Sequence, residues 1–99
     1  MNPSGLSERE LDLIRGVLAR RKEVSFAVLF GSRAKGTAAP GSDIDLALGG
    51  IDDPLLAEAV AAELDELPLP YRFDVKALSA IRYAPLREHI DRVGVRIYG

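Results

Sequence analysis

Apolar residues recur at two different periods along this chain, and the switches between them mark its elements. Leu11, Ile14, Val17 and Leu18 keep helical spacing and predict an amphipathic helix over Glu8 to Lys22. Ser7 and Glu10 form the S-x-x-E pattern of a capping box, with Leu6 and Leu11 placed as a hydrophobic staple. Val24 to Phe30, β-branched and aromatic, reads as a strand. The segment Gly31 to Ser42 is too rich in Gly, Pro and Ala to continue it. Arg33-Ala34-Lys35 suits a short helical turn there, and Pro40-Gly41 a tight turn. A second strand opens at Asp43 and closes near Gly49-Gly50. Asp53 then stands as an N-cap with Pro54 at N1 of a second long helix, which Pro68 and Pro70 end. Leu55, Leu56, Ala59, Val60, Glu63, Leu64 and Leu67 trace the inner edge of that helix. Tyr71 to Leu78 reads as a third strand, followed by a turn near Ser79 to Tyr83. A last helix starts at Pro85, turns Leu86, Ile90 and Val93 inward and ends at Gly94, before a short strand from Val95 to Tyr98. The order α-β-loop-β-α-β-α-β predicts an α+β fold of two layers, a mixed β-sheet packed by helices, in a single domain over residues 1–99.

Composition narrows the function classes. With 47% hydrophobic and 28% charged residues the chain reads as soluble and globular. Its formal net charge of -2 provides no field that would draw free nucleic acid, so no direct nucleic-acid binding is expected. The absence of cysteine excludes disulfides and thiolate metal sites. No apolar run approaches the roughly 20 residues that span a bilayer, and Met1 to Gly5 lacks the layout of a signal peptide. The expectation is a cytoplasmic protein with no membrane partner.

Strand alternation concentrates the candidate chemistry on three aspartates. In the second strand Ile44, Leu46 and Leu48 point one way, and Asp43, Asp45 and Ala47 the other. In the third, Tyr71, Phe73 and Val75 form the apolar set and leave Arg72, Asp74 and Lys76 opposite. If the two strands are neighbours, Asp43, Asp45 and Asp74 share one polar face. Alternate residues on a strand lie about 6.7 Å apart and adjacent strands about 4.8 Å apart. Side chains leaning inward from such positions bracket two cations about 3.5–4 Å apart, the spacing of two-metal phosphoryl-transfer sites. Clustered carboxylates stay ionised together when cations offset their repulsion, and Mg²⁺ suits a site of a few carboxylates completed by water and substrate phosphate.

Gly31-Ser32 supplies the complementary part. Glycine lets a phosphate approach the backbone, the Ser32 hydroxyl and nearby amides donate to its oxygens, and Arg33 and Lys35 add positive charge. Taken singly these signals are ordinary: a Gly-Ser turn, a strand-end Asp-x-Asp, an Asp74 paired with Arg72 or Lys76. Their joint spacing is what carries weight. Haloacid-dehalogenase-type phosphatases and Toprim domains place the acid pair after an apolar strand, whereas here the apolar strand follows it. A calcium loop would need a further oxygen ligand and a central glycine that are absent.

The pattern Gly31-Ser32-x10-Asp43-x-Asp45 with a later acid resembles the nucleotidyltransferase superfamily that includes DNA polymerase β. The phrases GSRAKG, SDIDLAL, FDVKAL and GVRIYG are similar to the minimal nucleotidyltransferases (MNT) paired with HEPN toxins in prokaryotic toxin–antitoxin modules. The resemblance implies a polymerase β-like nucleotidyltransferase fold and Mg²⁺-dependent transfer of AMP from ATP to a tyrosine of a HEPN ribonuclease. It implies that Asp43 and Asp45 ligate two Mg²⁺ ions, that Asp74 is the third carboxylate and helps activate the attacking hydroxyl, and that Gly31 and Ser32 hold the triphosphate. Ser42, beside the acid pair, joins the candidate nucleotide-binding residues. Lys35 stands where arginine is common in that group, a change that keeps charge and loses a bidentate fork.

Two other functions compete. One is a non-catalytic binding module that masks its partner stoichiometrically; the other is a nucleotidyltransferase acting on a small molecule or an RNA end. The remaining signals read as structural. His89, the sole histidine, is expected at a surface or helix end, and Arg20-Arg21-Lys22 as complement to a helix C-terminus.

Overall fold

A computed structural model describes residues 5–37 and 41–99. Its elements are α1 (Glu8–Ala19), β1 (Phe26–Phe30), α2 (Ser32–Lys35), β2 (Ile44–Gly49), α3 (Pro54–Asp65), β3 (Phe73–Ala77), a 3₁₀ turn (Leu78–Ala80), α4 (Ala84–Val93) and β4 (Val95–Tyr98). Every element expected from the sequence is present; α1, β1 and β3 are shorter than expected, α2 and α4 each begin one residue earlier, and β4 keeps its expected bounds. Of the turn expected at Pro40-Gly41, Pro40 lies outside the described residues.

The four strands form one mixed sheet in the order β3-β2-β1-β4. β1 runs antiparallel to both β2 and β4, and β2 and β3 are parallel. Parallel neighbours need a crossover, which α3 provides. Ile44, Leu46 and Leu48 of β2 turn to one face of the sheet, where they join Leu11, Ile14, Val17 and Leu18 of α1 and Ala57, Val60 and Leu64 of α3 in the main core. The other face carries a smaller cluster of Phe30, Ala47, Ile81 and Ile90, through which α4 is attached. The helices therefore cover both faces, and the second is covered only in part. That leaves the N-terminal end of β2 and β3 open on the α4 side.

The capping box forms as expected, with the Glu10 amide donating to Ser7 Oγ at 3.1 Å and the Ser7 amide to Glu10 Oε1 at 2.9 Å. Helix α1 stops at Ala19 rather than Lys22, because Arg20 and Arg21 turn away to pair with Glu63 of α3. Those arginines join two helices, where the sequence predicted only a complement to a helix terminus. Asp53 caps α3 through the Leu55 amide at 2.9 Å. Leu55, expected on the inner edge, is 70% exposed, and Ala57 takes the buried position. Gly94 ends α4 as expected but in extended backbone (φ −61°, ψ 143°), not the left-handed form. Its requirement is space: a Cβ there would overlap the Ile90 carbonyl and Val28.

Candidate active site

The parallel register of β2 and β3 sets Asp45 directly abreast of Asp74, one step after Ile44 meets Phe73. Asp43 immediately precedes β2, whose ladder with β3 opens where the Ile44 amide donates to the Arg72 carbonyl at 2.8 Å. Alternation therefore holds Asp43, Asp45 and Asp74 on the face opposite the main core. Asp43 and Asp74 are exposed and Asp45 is half-buried.

The electrostatics match this placement. Burial pushes the Asp45 carboxyl above its ordinary value, and the negative fields of Asp74 and Asp43 push it further, with Lys76 opposing. Lys76 follows Asp74 on the same face of β3, and its Nζ lies 3.5 Å from Asp74 Oδ1. An exposed ion pair of this kind contributes little stability. It does hold a cation among the acids.

Gly31, at the end of β1, closes the site from the neighbouring strand. It adopts φ +76° and ψ −157°, a region essentially confined to glycine. A Cβ at this position would overlap Oδ2 of Asp45, so the turn lies against that carboxylate. Ser32 begins α2, a single turn in which the Lys35 amide donates to the Gly31 carbonyl at 3.3 Å and Gly36 closes the end at φ +75°. The helical turn expected around Arg33 to Lys35 is thus present one residue earlier.

Arg33 does not join this site. Its side chain is only 2% exposed. The guanidinium donates to the Ser42 carbonyl from Nε at 3.1 Å and Nη2 at 2.8 Å, and lies 4.5 Å above the centre of the Tyr71 ring. Tyr71 in turn donates to Glu10 Oε2 at 2.9 Å. Burial and this hydrogen bond push the Tyr71 hydroxyl above its ordinary value, while the Ser7 backbone amide chiefly holds Glu10 below its own. Arg33 thus ties the glycine turn to the start of β2 and to α1 on the far side of the sheet, and correspondingly Ser42 contributes its carbonyl to a structural anchor. Lys35 is exposed at the end of α2.

His89 is where sequence reasoning missed a contact. Its Nε2 accepts the Gly31 amide at 3.1 Å, and its ring meets Phe30 edge-on, with centroids 6.4 Å apart at 79°. The signal was present: His89 lies three residues after Leu86 and one before Ile90, next to the inward stripe of α4.

The acids share a face without being drawn around one point; among the described residues no group of three His, Cys, Asp or Glu side chains is gathered closely enough to hold an ion. The donor set nevertheless suits a hard divalent cation. It consists of carboxylate oxygens alone, one of them half-buried with its charge disfavoured by two like neighbours, and a cation would relieve that repulsion. Among the described residues no helix is long and apolar enough to cross a membrane.

Comparison with known proteins places this geometry. The family described as polymerase beta nucleotidyltransferase matches residues 12–99. No curated protein matches the sequence significantly. Among solved structures, a chain of a toxin–antitoxin crystallised with AMP-PNP superposes with a TM-score of 0.73 at 24% identity, over 95% of this chain and 74% of that one. A chain from the complex of tri-AMPylated Shewanella oneidensis HEPN toxin with MNT antitoxin gives 0.72 at 21%, over 95% and 73%. A chain of the MntA–HepT toxin–antitoxin gives 0.71 at 21%, over 94% and 73%. At these identities the likeness establishes a shared fold.

Proposed function

The chain belongs to the polymerase β-type nucleotidyltransferase family, and from that premise we propose that it is an antitoxin that transfers AMP from ATP to a tyrosine hydroxyl of a HEPN ribonuclease. The observation that carries this reading is the pairing of Asp45 with Asp74 beside the glycine turn. It assembles acids for cations and a backbone approach for phosphate within three neighbouring strands.

The order of those strands supports an in-line displacement. Gly31 and Ser32, just past the end of β1, hold the triphosphate of ATP. Asp43, just before β2, and Asp45, on β2, would hold two Mg²⁺ ions, and Asp74 on β3 completes the set. The ions, when bound, neutralise charge at the α-phosphate and lower the barrier to ionising the acceptor hydroxyl. Asp74 orients that hydroxyl and receives its proton. The tyrosine oxygen forms a bond to the α-phosphorus, and the bond to pyrophosphate breaks on the opposite side. Lys76, whose Nζ lies 3.5 Å from Asp74 Oδ1, is the nearby cation that would reach a substrate phosphate.

The partner assignment draws support from two proteins of similar fold, one solved with AMP-PNP and one in complex with an AMPylated HEPN toxin. Incubation of the chain with its HEPN partner, ATP and Mg²⁺ should add the mass of AMP to a partner tyrosine, and EDTA or Asp43→Ala with Asp45→Ala should abolish that addition. Neutralisation of the partner that survives the double substitution, with no mass change in the wild type, would favour stoichiometric masking instead.

A further inference from the structure

The turn at Gly31 is unusually exacting for so short a feature. Its dihedral angles lie where only glycine is comfortable, and glycine loses more backbone freedom on ordering than any other residue. The turn therefore needs restraints, and three are present. The Gly31 carbonyl accepts the Lys35 amide. The carboxylate of Asp45 lies against its Cα, where a side chain would overlap it. The third restraint comes from 58 residues away in sequence, where His89 Nε2 accepts the Gly31 amide at 3.1 Å.

We propose that His89 is a positioning residue: its imidazole holds the Gly31 amide so that the phosphate turn is set before nucleotide arrives. This inference rests on the nucleotide-binding role given to that turn above. An amide donor requires the lone pair on Nε2 and so places the ring proton on Nδ1. The imidazole is itself held in place. Its edge meets the Phe30 ring, the next residue, Ile90, is buried with Phe30, Ala47 and Ile81, and Arg87 Nη1 donates to the Leu78 carbonyl at 2.7 Å. Helix α4 thereby carries a rigid acceptor to the end of β1, and its attachment to the second sheet face becomes a condition for an ordered turn. Without the acceptor, Gly31 samples other conformations, and apparent affinity falls with the fraction that remains competent.

The full-length chain carrying His89→Ala, His89→Phe or His89→Gln tests this with Mg²⁺-ATP as the probe. Phenylalanine keeps a ring against Phe30 and lacks the acceptor. Glutamine sets its Oε1 near the position of Nε2. In His89→Ala and His89→Phe the Gly31 amide should lose its protection from hydrogen exchange in ¹H–¹⁵N spectra, and Mg²⁺-ATP should bind about five- to tenfold more weakly, the scale of one hydrogen bond. His89→Gln should restore both. Protection or affinity at wild-type level in His89→Phe overturns the inference, as does tighter binding in His89→Ala or a failure of glutamine to rescue. A wild-type chain that takes up no Mg²⁺-ATP overturns instead the nucleotide-binding reading on which this one rests, and Gly31 exchange still reports whether the imidazole holds the amide.

Discussion

Replacing Asp45 with Asn should destroy transfer and, without divalent cations, make the protein more stable. Asp45 stands abreast of Asp74 on an adjacent strand, with Asp43 on the same face, and its pKa is raised first by burial and then by those two charges. Two unit charges about 5 Å apart repel by about 3 kcal/mol at an effective dielectric of about 20. Asp45 is only half-buried and Lys76 offsets part of the field, so solvent screening reduces the net effect to about 1 kcal/mol. For a domain of this size that corresponds to a rise in Tm of about 4–8 °C. The sign follows from linkage. A carboxyl whose pKa is higher folded than unfolded favours folding below its unfolded value, and that contribution is lost as the pH rises through the folded value. The advantage of Asp45→Asn should thus be full at neutral pH and shrink as acid protonates the wild-type carboxyl. Mg²⁺ should narrow the gap from the other side, since a ligand that binds the native state stabilises it. Thermal melts of both proteins in EDTA and in Mg²⁺, at neutral and acidic pH, measure all of this. A variant that melts below wild type in EDTA at neutral pH would refute the reasoning, as would a gap indifferent to pH.

Gly31→Ala places a Cβ against Asp45 Oδ2 at a positive φ, and should lower stability by about 1–3 kcal/mol in urea titrations and abolish Mg²⁺-ATP binding. Arg33→Met should lower stability by about 2 kcal/mol through loss of the Ser42 hydrogen bonds and the Tyr71 stack, whereas Lys35→Ala should change it by less than about 0.5 kcal/mol. Glu10 is held below its ordinary pKa, chiefly by the Ser7 amide, so it stabilises above the unfolded glutamate value and loses that contribution as pH falls through its own. Glu10→Gln should flatten that acid-side loss in melts recorded from neutral to acidic pH.

What the sequence made legible was whatever depends on period. The alternation in residues 43–48 assigns Ile44, Leu46 and Leu48 to the core and Asp45 and Ala47 to the other face, and both assignments hold. Capping chemistry was equally readable, because Ser7, Glu10 and Asp53 act on amides two or three residues away. What escaped was long-range and side-chain-specific. Arg33 sits in a basic stretch beside a phosphate motif, and nothing local shows that its guanidinium instead turns back toward Ser42 and Tyr71. His89 meets Gly31 only because α4 crosses the end of β1. Helical spacing puts Leu55 inward, yet the buried stripe of α3 runs through Ala57, Val60 and Leu64 and leaves Leu55 exposed. Periodicity locates faces and leaves the choice among adjacent positions to tertiary packing.

The alternation along β2 has an evolutionary corollary. A single six-residue strand serves both faces: Ile44, Leu46 and Leu48 build the main core, while Asp45 carries the proposed chemistry and Ala47 packs under α4. Insertion or deletion of one residue would exchange the two faces at a stroke, sending Asp45 into the main core and the leucines out of it. Such a segment can drift by substitution but not by length, so lineages that lose the chemistry can keep the strand, while none that loses the strand's register can keep the chemistry.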